Sequence, residues 1–336
     1  MTTSSSFTYD LVGVGSPIMD ILAAVPEELL TQVPGEKGGM VLVNADEMAT
    51  LLKLLPTPPA SSTGGSAANC TLNAARLGLR TTFVGKLGNC DVAAAYRQRF
   101  AELGIDTTRF KTGDVPNARS LILTTPDADR TMRTDLGAAM TLSPDEISVE
   151  DFAGCRHLHM EGYLVFNQAL ADAVLTAARA AGCTLSIDVA SFDVINVTRD
   201  WFFRQFEQGG IDVIFANEDE IRALFQDKTS SYEDLAKRLA GYGVTAAVKV
   251  GKDGAWIARC DELHRISPVK VDAVVDTNGA GDSWAAGFLS AFVRGQDLPT
   301  CGRIASEVGA ETVKHLGPII PDDAFAALAQ RLGALN

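Results

Sequence analysis

Short apolar runs alternating with segments of helical period constrain this chain more than any other feature. The runs fall at 9–14, 81–85, 157–160, 184–188, 213–216 and 246–250. Helical segments fall at 66–77, 91–103, 167–181, 218–225, 232–240, 281–294 and 300–314. Strands that are apolar throughout need cover on both faces, and helices between them supply the crossovers that parallel pairing requires. The pattern predicts an α/β fold with a doubly wound, mainly parallel sheet and helices on both faces. Ser143-Pro144-Asp145-Glu146 has the form of a capping box with proline at the first helical position, which predicts a helix start there.

Two regions, 17–44 and 110–135, break the rhythm. Both read as β, with strands expected at 119–125 and 130–134 and turn chemistry at Pro126-Asp127-Ala128-Asp129. Neither offers a helix long enough for a crossover, so they are expected to pair into a small separate sheet; hairpins on the edge of the main domain are the alternative. The remaining residues, 1–16, 45–109 and 136–336, then form the large α/β domain. Pro56-Thr57-Pro58-Pro59 reads as a stiff surface loop.

With 336 residues, 46% of them hydrophobic, the chain can bury a large core. Lys and Arg number 29 against 42 Asp and Glu, a net charge of −13 that argues against nucleic acid or an anionic membrane as partner. No basic-then-apolar leader precedes the first strand, and no apolar stretch reaches the ~18 residues of a membrane span, so a cytoplasmic protein is expected. Cys70, Cys90, Cys155, Cys183, Cys260 and Cys301 are scattered without a Cys-x-x-C pair and read as small buried side chains. His157 and His159 share one side of a strand, a spacing that can bind metal, but no third ligand is evident and a structural role is preferred. Monomer and homodimer both remain open.

Chemistry first shows in Asp276-Thr277-Asn278-Gly279-Ala280-Gly281-Asp282, which runs into a helical segment. A turn without bulky Cβ groups at a helix N-terminus aims several backbone N–H groups at one point and binds an anion there. Asp282 stands beside that point, and an acid next to a phosphate turn suggests phosphoryl transfer with the carboxylate as base. Gly64-Gly65-Ser66-Ala67-Ala68-Asn69 opens an earlier helix, where two glycines allow close approach of a ligand and Asn69 offers donors and an acceptor suited to hydroxyls. Asp20 follows the first strand, at the edge where ligands gather in open α/β sheets. Gly13-x-Gly15 is an incomplete dinucleotide fingerprint, since Ile18 stands in the third glycine's place. A Gly-x-x-x-x-Gly-Lys-Ser/Thr loop is absent.

The 276–282 heptad resembles the C-terminal signature of the ribokinase-like (PfkB) carbohydrate and nucleoside kinases, Asp-Thr-x-Gly-Ala-Gly-Asp, at every specified position. The Gly64-Gly65 segment with Asn69 resembles the N-terminal signature of the same family. That resemblance implies transfer of the ATP γ-phosphoryl group to a primary hydroxyl, with Asp282 as base and the backbone of Asn278, Gly279, Ala280 and Gly281 as anion hole. It implies sugar-hydroxyl contacts from Asp20, Gly64, Gly65 and Asn69, and a small β-sheet acting as a lid. On the nucleotide side it implies Asn217 with Glu220, the latter positioning Mg²⁺ through water, then Lys249 and Gly251 on phosphate and ribose and Gly317 at the adenine pocket. Asn217-Glu218-Asp219-Glu220 could equally be an acidic helix start favoured by the macrodipole. Asp276 would bind a monovalent cation, K⁺, behind the anion hole. The chain departs from many members in having Ser16-Pro17 where they have Gly-Asn, which leaves the local backbone at Asp20 open.

Segments 125–132, 136–138, 161–163 and 215–220 look most like bacterial adenosine-kinase-like members, which implies a nucleoside acceptor. A purine wants an aromatic or broad apolar face. The 17–44 segment has no aromatic residue, and Met19, Met40, Phe110, Tyr163, Phe166 and Phe192 could supply a surface or belong to the core. A free sugar such as fructose or ribose is the alternative acceptor, and a catalytically silent ligand-binding relative is a third reading.

Overall fold

The computed structural model describes residues 7–127 and 129–333. Residues 1–6 and 334–336, and Ala128 of the expected turn, lie outside the described residues. The main sheet has eight strands, in the spatial order Thr81–Val84, Tyr9–Val14, Cys155–Glu161, Thr184–Asp188, Val213–Ala216, Thr245–Lys249, Ala255–Arg259, Glu262–Ile266. The first six are parallel, and the last two add on antiparallel as an edge hairpin. Each expected strand is present. The edge hairpin was not anticipated: Glu262–Ile266 is polar and charge-bearing with no apolar run, while Ala255–Arg259 is apolar but for Arg259 and only five residues long.

Alternation along the strands sorts the core into two faces. Val12, Val14, Leu158, Met160, Leu185, Ile187, Ile214 and Ala216 point to one side, under the helices Gln168–Ala180, Phe192–Glu207, Glu218–Phe225 and Tyr232–Ala240. Leu11, Val213, Phe215, Ala247 and Ile257 point to the other, under Ala280–Phe292 and Leu298–Thr312. His157 and His159 sit within this second face: both are buried, and each ring hydrogen-bonds to Ser186 Oγ, at 2.8 and 2.9 Å. Burial depresses both, to about 3 and about 4, so they are neutral packing groups. Among the described residues no group of three or more His, Cys, Asp or Glu is arranged to hold a metal. All six cysteines are free thiols, but Cys260 is exposed in the edge hairpin's turn and Cys90 half-buried, contrary to the expectation that all are buried.

The second sheet has five strands in the order Met40–Leu42, Arg130–Asp135, Arg119–Thr124, Ile18–Ala24, Ala60–Gly64. The expected boundary needs correction here. Ala60–Gly64 pairs antiparallel with Ile18–Ala24, and Met48 and Leu51 of helix Ala45–Lys53 pack with Ile21, Ala23, Leu121 and Leu123 under this sheet. Both elements had been placed with the large domain. The Ala-Ser-Ser-Thr-Gly strand carries no apolar run, so only its backbone pairing reveals it. A second correction concerns Ser143-Pro144-Asp145-Glu146. The capping box forms, but it closes a single 3₁₀ turn at Pro144–Glu146 rather than opening a long helix. Glu146 is held there by Lys86 as well, at 2.8 Å.

No helix of the described residues is long and apolar enough to cross a membrane.

Candidate active site

The sheet reverses its winding between Tyr9–Val14, whose next parallel partner is Thr81–Val84 on one side, and Cys155–Glu161 on the other. The crevice beyond the carboxyl ends of the strands at such a switch point is the usual ligand site of open α/β sheets. Glu161, Asp188 and Lys249 are each the last residue of a parallel strand, and Asn217 directly follows another. They therefore gather along one edge.

Helix Ala280–Phe292 delivers Asp282 to this edge in its first turn. Gly279, at its N-cap, has φ +70°, and a Cβ there would lie 2.3 Å from Pro318 Cβ, so the turn requires glycine. Of the four N–H groups expected to form an anion hole, two are otherwise engaged. Asn278 donates to Asp276 Oδ1 at 2.9 Å and Ala280 to the Thr277 carbonyl at 3.3 Å. The N–H groups of Gly279 and Gly281, with that of Asp282, have no acceptor among the described residues. Lys249 supplies positive charge beside them: its Nζ lies 3.2 Å from where a Gly281 Cβ would be.

Asp282 is gripped by the other motif. Ser66 Oγ donates to its Oδ1 at 2.8 Å and Asn69 Nδ2 to its Oδ2 at 2.9 Å. The distant signatures are thus one site. Burial raises the Asp282 carboxyl to about 6, against the lowering effect of the Asn69 and Ser66 hydrogen bonds. Asn69 Oδ1 is buried with no partner among the described residues, which leaves it an open acceptor.

Asp20 lies on the small sheet, flanked in register by Ser62 and Ser120. It crosses directly over Gly64, where a Cβ would come 2.4 Å from its Cγ, and burial followed by the charge of Asp282 raises it to about 7. Gly65 has φ +100° and leaves room for the Ser16 carbonyl, 2.2 Å from its would-be Cβ. The Ser16-Pro17 departure is accommodated by Glu161, which accepts from the Ser16 N–H at 2.8 Å and the Ala67 N–H at 3.3 Å. Burial raises Glu161 to about 7 despite those bonds.

On the opposite side, Lys249 Nζ pairs with Asp188 Oδ2 at 2.7 Å, both largely buried. Burial alone would depress Lys249, but Asp188 and Glu220 outweigh it and hold the ammonium raised. Asn217 and Glu220 form a reciprocal capping box: Asn217 Oδ1 accepts from the Asp219 and Glu220 N–H groups, and Glu220 accepts from the Asn217 N–H and Nδ2. The helix-start reading of this segment is therefore met, and Glu220 still sits 4% exposed with its carboxyl raised by burial and by Asp188. Gly251 opens a 3₁₀ turn directly after Val250 with φ +48°. Gly317 has φ +81° with open space where a Cβ would point, and its N–H donates to Asp276 Oδ2 at 2.9 Å.

Four residues not singled out as site residues in the sequence reading belong to this cluster. Glu161 and Asp188 were legible as carboxylates ending apolar runs, a costly place for a charge without purpose. Ser66 was inside a noted motif. Arg130, on the small sheet, pairs with Asp276 Oδ1 at 2.8 Å; it lies inside the 125–132 segment noted for its resemblance, but nothing along the chain marked it as a partner of Asp276. Of the candidate stacking residues, Met19 and Phe110 are core. Tyr163, Phe166 and Phe192 are 42%, 59% and 49% exposed, on the segments that follow Glu161 and Asp188.

Residues 52–324 match the model of the pfkB family of carbohydrate kinases. A nucleoside kinase from Methanothermobacter thermautotrophicus is 32% identical over 256 residues, 76% of this chain and 79% of that protein. A 5-dehydro-2-deoxygluconokinase from Bacillus subtilis is 25% identical over 264 residues, 75% of this chain and 81% of that protein. The crystal structure of adenosine kinase from Sinorhizobium meliloti superposes with a TM-score of 0.85 at 29% identity, covering 97% of this chain and 99% of that one.

Proposed function

The chain belongs to the pfkB family of carbohydrate kinases, and from that premise we propose that it transfers the γ-phosphoryl group of ATP to the primary hydroxyl of an adenosine-like nucleoside, with Asp282 as the base. The family is one of sugar and nucleoside kinases, and kinase activity implies ATP. The observation that carries the reading is the grip of Ser66 and Asn69 on Asp282 beside the free N–H groups of Gly279 and Gly281.

In this reading Asp20 and the unpartnered Asn69 Oδ1 receive the acceptor's ring hydroxyls, with Gly64 and Gly65 letting them approach closely. The primary hydroxyl then lies against Asp282, which takes its proton as the oxygen attacks phosphorus. A carboxyl raised to about 6 is ionised at neutral pH yet basic enough to share that proton in the transition state. Charge on the phosphoryl oxygens meets the N–H groups of Gly279 and Gly281, the N-terminal end of the Ala280–Phe292 dipole and Lys249. Asn217, Gly251 and Gly317 border the nucleotide.

Magnesium fits as an ion brought in on the phosphates. Asp188 and Glu220 are near one another without forming a metal cage, which suits a cation that keeps its waters, and when bound it would neutralise phosphate charge.

A nucleoside is favoured over a free sugar by exposed apolar surface around the acceptor groups. Tyr163 and Phe192 stand open to solvent beyond the ends of adjacent strands, and the charges of Glu161 and Asp282 both reach the Tyr163 hydroxyl. Across the crevice, the face of the small sheet that bears Asp20 continues through the partly exposed Leu22 and Met132. A base would cover these groups; a lone hexose or pentose would leave them wet. The test is a coupled ADP-release assay with adenosine, inosine, ribose and fructose. The nucleosides should give the highest kcat/KM, and Tyr163→Ala with Phe192→Ala should raise KM for them about tenfold while sparing ribose. Preference of the wild-type chain for a free sugar would reject the acceptor assignment. Binding of a nucleoside without turnover would favour a sensor.

A further inference from the structure

The resemblance gives Asp276 a monovalent cation, but the surroundings of its carboxylate do not fit one. Oδ1 already accepts from the Asn278 N–H at 2.9 Å and is ion-paired with the Arg130 guanidinium, whose Nη1 lies 2.8 Å away. Oδ2 accepts from the Gly317 N–H at 2.9 Å. The Val313 carbonyl beside it is likewise taken, by the N–H groups of Val275 and Asp276 at 2.8 and 3.3 Å. A potassium ion needs oxygen lone pairs turned toward it and no fixed cation at its side. Here the oxygens are turned toward donors, and one donor carries the full charge of an arginine.

We propose that Arg130 is the resident cation of Asp276, so that a guanidinium borne by the small sheet replaces a monovalent ion and ties the seating of that sheet to the shape of the phosphate turn. Arg130 is the first residue of strand Arg130–Asp135 and is set in place by its own N–H, which donates to Asp129 Oδ1 at 2.9 Å, and by pairing with Thr124. Asp276 begins the turn that ends at the N-cap of helix Ala280–Phe292. The ion pair thus spans the crevice between the two sheets. The Asp276 side chain is 6% exposed and that of Arg130 27%, so the acid is buried and the base is the partner that can leave. Guanidinium suits the task because it stays charged at any working pH and is more weakly hydrated than an ammonium, so it is more readily held beside a buried carboxylate. Arg130 is a positioning residue: it acts on the phosphate turn through Asp276. Its charge also reaches Asp20, on the acceptor side, which links both halves of the site to one side chain.

The inference uses the kinase reading only for one of its two readouts. Wild type, Arg130→Ala and Arg130→Lys are compared in KCl and in choline chloride at equal ionic strength, by ATP- and adenosine-dependent turnover and by melting temperature of the ligand-free chain. Wild type and Arg130→Lys should differ by less than about twofold in turnover and about 1 °C in melting between the two salts. Arg130→Ala should lose about tenfold or more in choline, and regain both turnover and a few degrees of melting temperature in potassium, by binding the ion that the arginine displaced. Specific activation or stabilisation of wild type by potassium would overturn the proposal. So would an Arg130→Ala variant as indifferent to the cation as wild type. If no variant turns over adenosine in any salt, the acceptor assignment fails, and the melting temperatures still decide this one.

Discussion

Asn69 Nδ2 donates to Asp282 Oδ2 at 2.9 Å across 213 positions of sequence. With Ser66 on the other oxygen, it fixes the carboxylate's plane, so the acid is aimed before any ligand arrives. Pre-aiming of this kind removes a rotamer search from the reaction, and it comes from the helix Ser66–Arg76, in the connection between Tyr9–Val14 and Thr81–Val84.

Replacement of Asp282 by Asn keeps the shape and the Ser66 contact while removing the proton acceptor. Turnover should fall by roughly 10² to 10⁴, with the affinity for ADP changed by less than about threefold. Steady-state kinetics and calorimetric titration of ADP give the two numbers. Undiminished turnover would rule out Asp282 as the base.

Gly64→Ala tests the acceptor side. The added methyl would lie 2.4 Å from the Asp20 carboxyl carbon, so Asp20 must swing away. KM for the acceptor should rise by about tenfold or more with a smaller change in KM for ATP, because the added methyl meets Asp20 and not the N–H groups of the phosphate turn. An equal rise in both would mean that the two halves of the site are not separable in this way.

Activity and the share of stability that comes from the buried site carboxyls should respond to pH in opposite directions. Asp282 must be ionised to accept a proton, so the rate should fall on an acid limb near pH 6. For stability, Asp20 and Glu161 at about 7 and Asp282 at about 6 stand above their ordinary values of 3.8, 4.5 and 3.8. Between those limits the folded chain holds protons that the unfolded chain has released, so stability from these groups declines as pH rises from about 4 to about 7. Carboxylates held low, such as Asp106, titrate below that window. His157 and His159, depressed by burial to about 3 and about 4, work the other way and add stability as pH rises to about 6.5, so the carboxyl contribution is read by difference: Asp20→Asn should gain melting temperature relative to wild type as pH rises from 5 to 8. A difference between wild type and Asp20→Asn that stays constant across this range would contradict the raised value of Asp20.

Legibility in the sequence followed the physics of each element. Buried parallel strands such as Val213–Ala216 must be apolar, so they announced themselves, and helices such as Ser66–Arg76 and Glu218–Phe225 were bounded by their glycines and caps. Ala60–Gly64 did not, because its place comes from backbone pairing with Ile18–Ala24 and its small polar residues pack nothing large. Ser143–Glu146 misled in the other direction: a capping box is local chemistry, and it forms whether or not a helix follows.

The sequence by itself pointed to phosphate chemistry, since a glycine turn with an acid at each end is carried in seven consecutive residues, and the resemblance of those residues to a family signature narrowed it to phosphoryl transfer. It also determined the layered α/β architecture, through the spacing of apolar runs. Tertiary structure alone decided that Ser66 and Asn69 hold Asp282, that Glu161 supports Ser16 and Ala67, and that Arg130 meets Asp276. Those pairings join residues from different strands, helices and sheets, and a contact made by crossing distance has no signature along the chain.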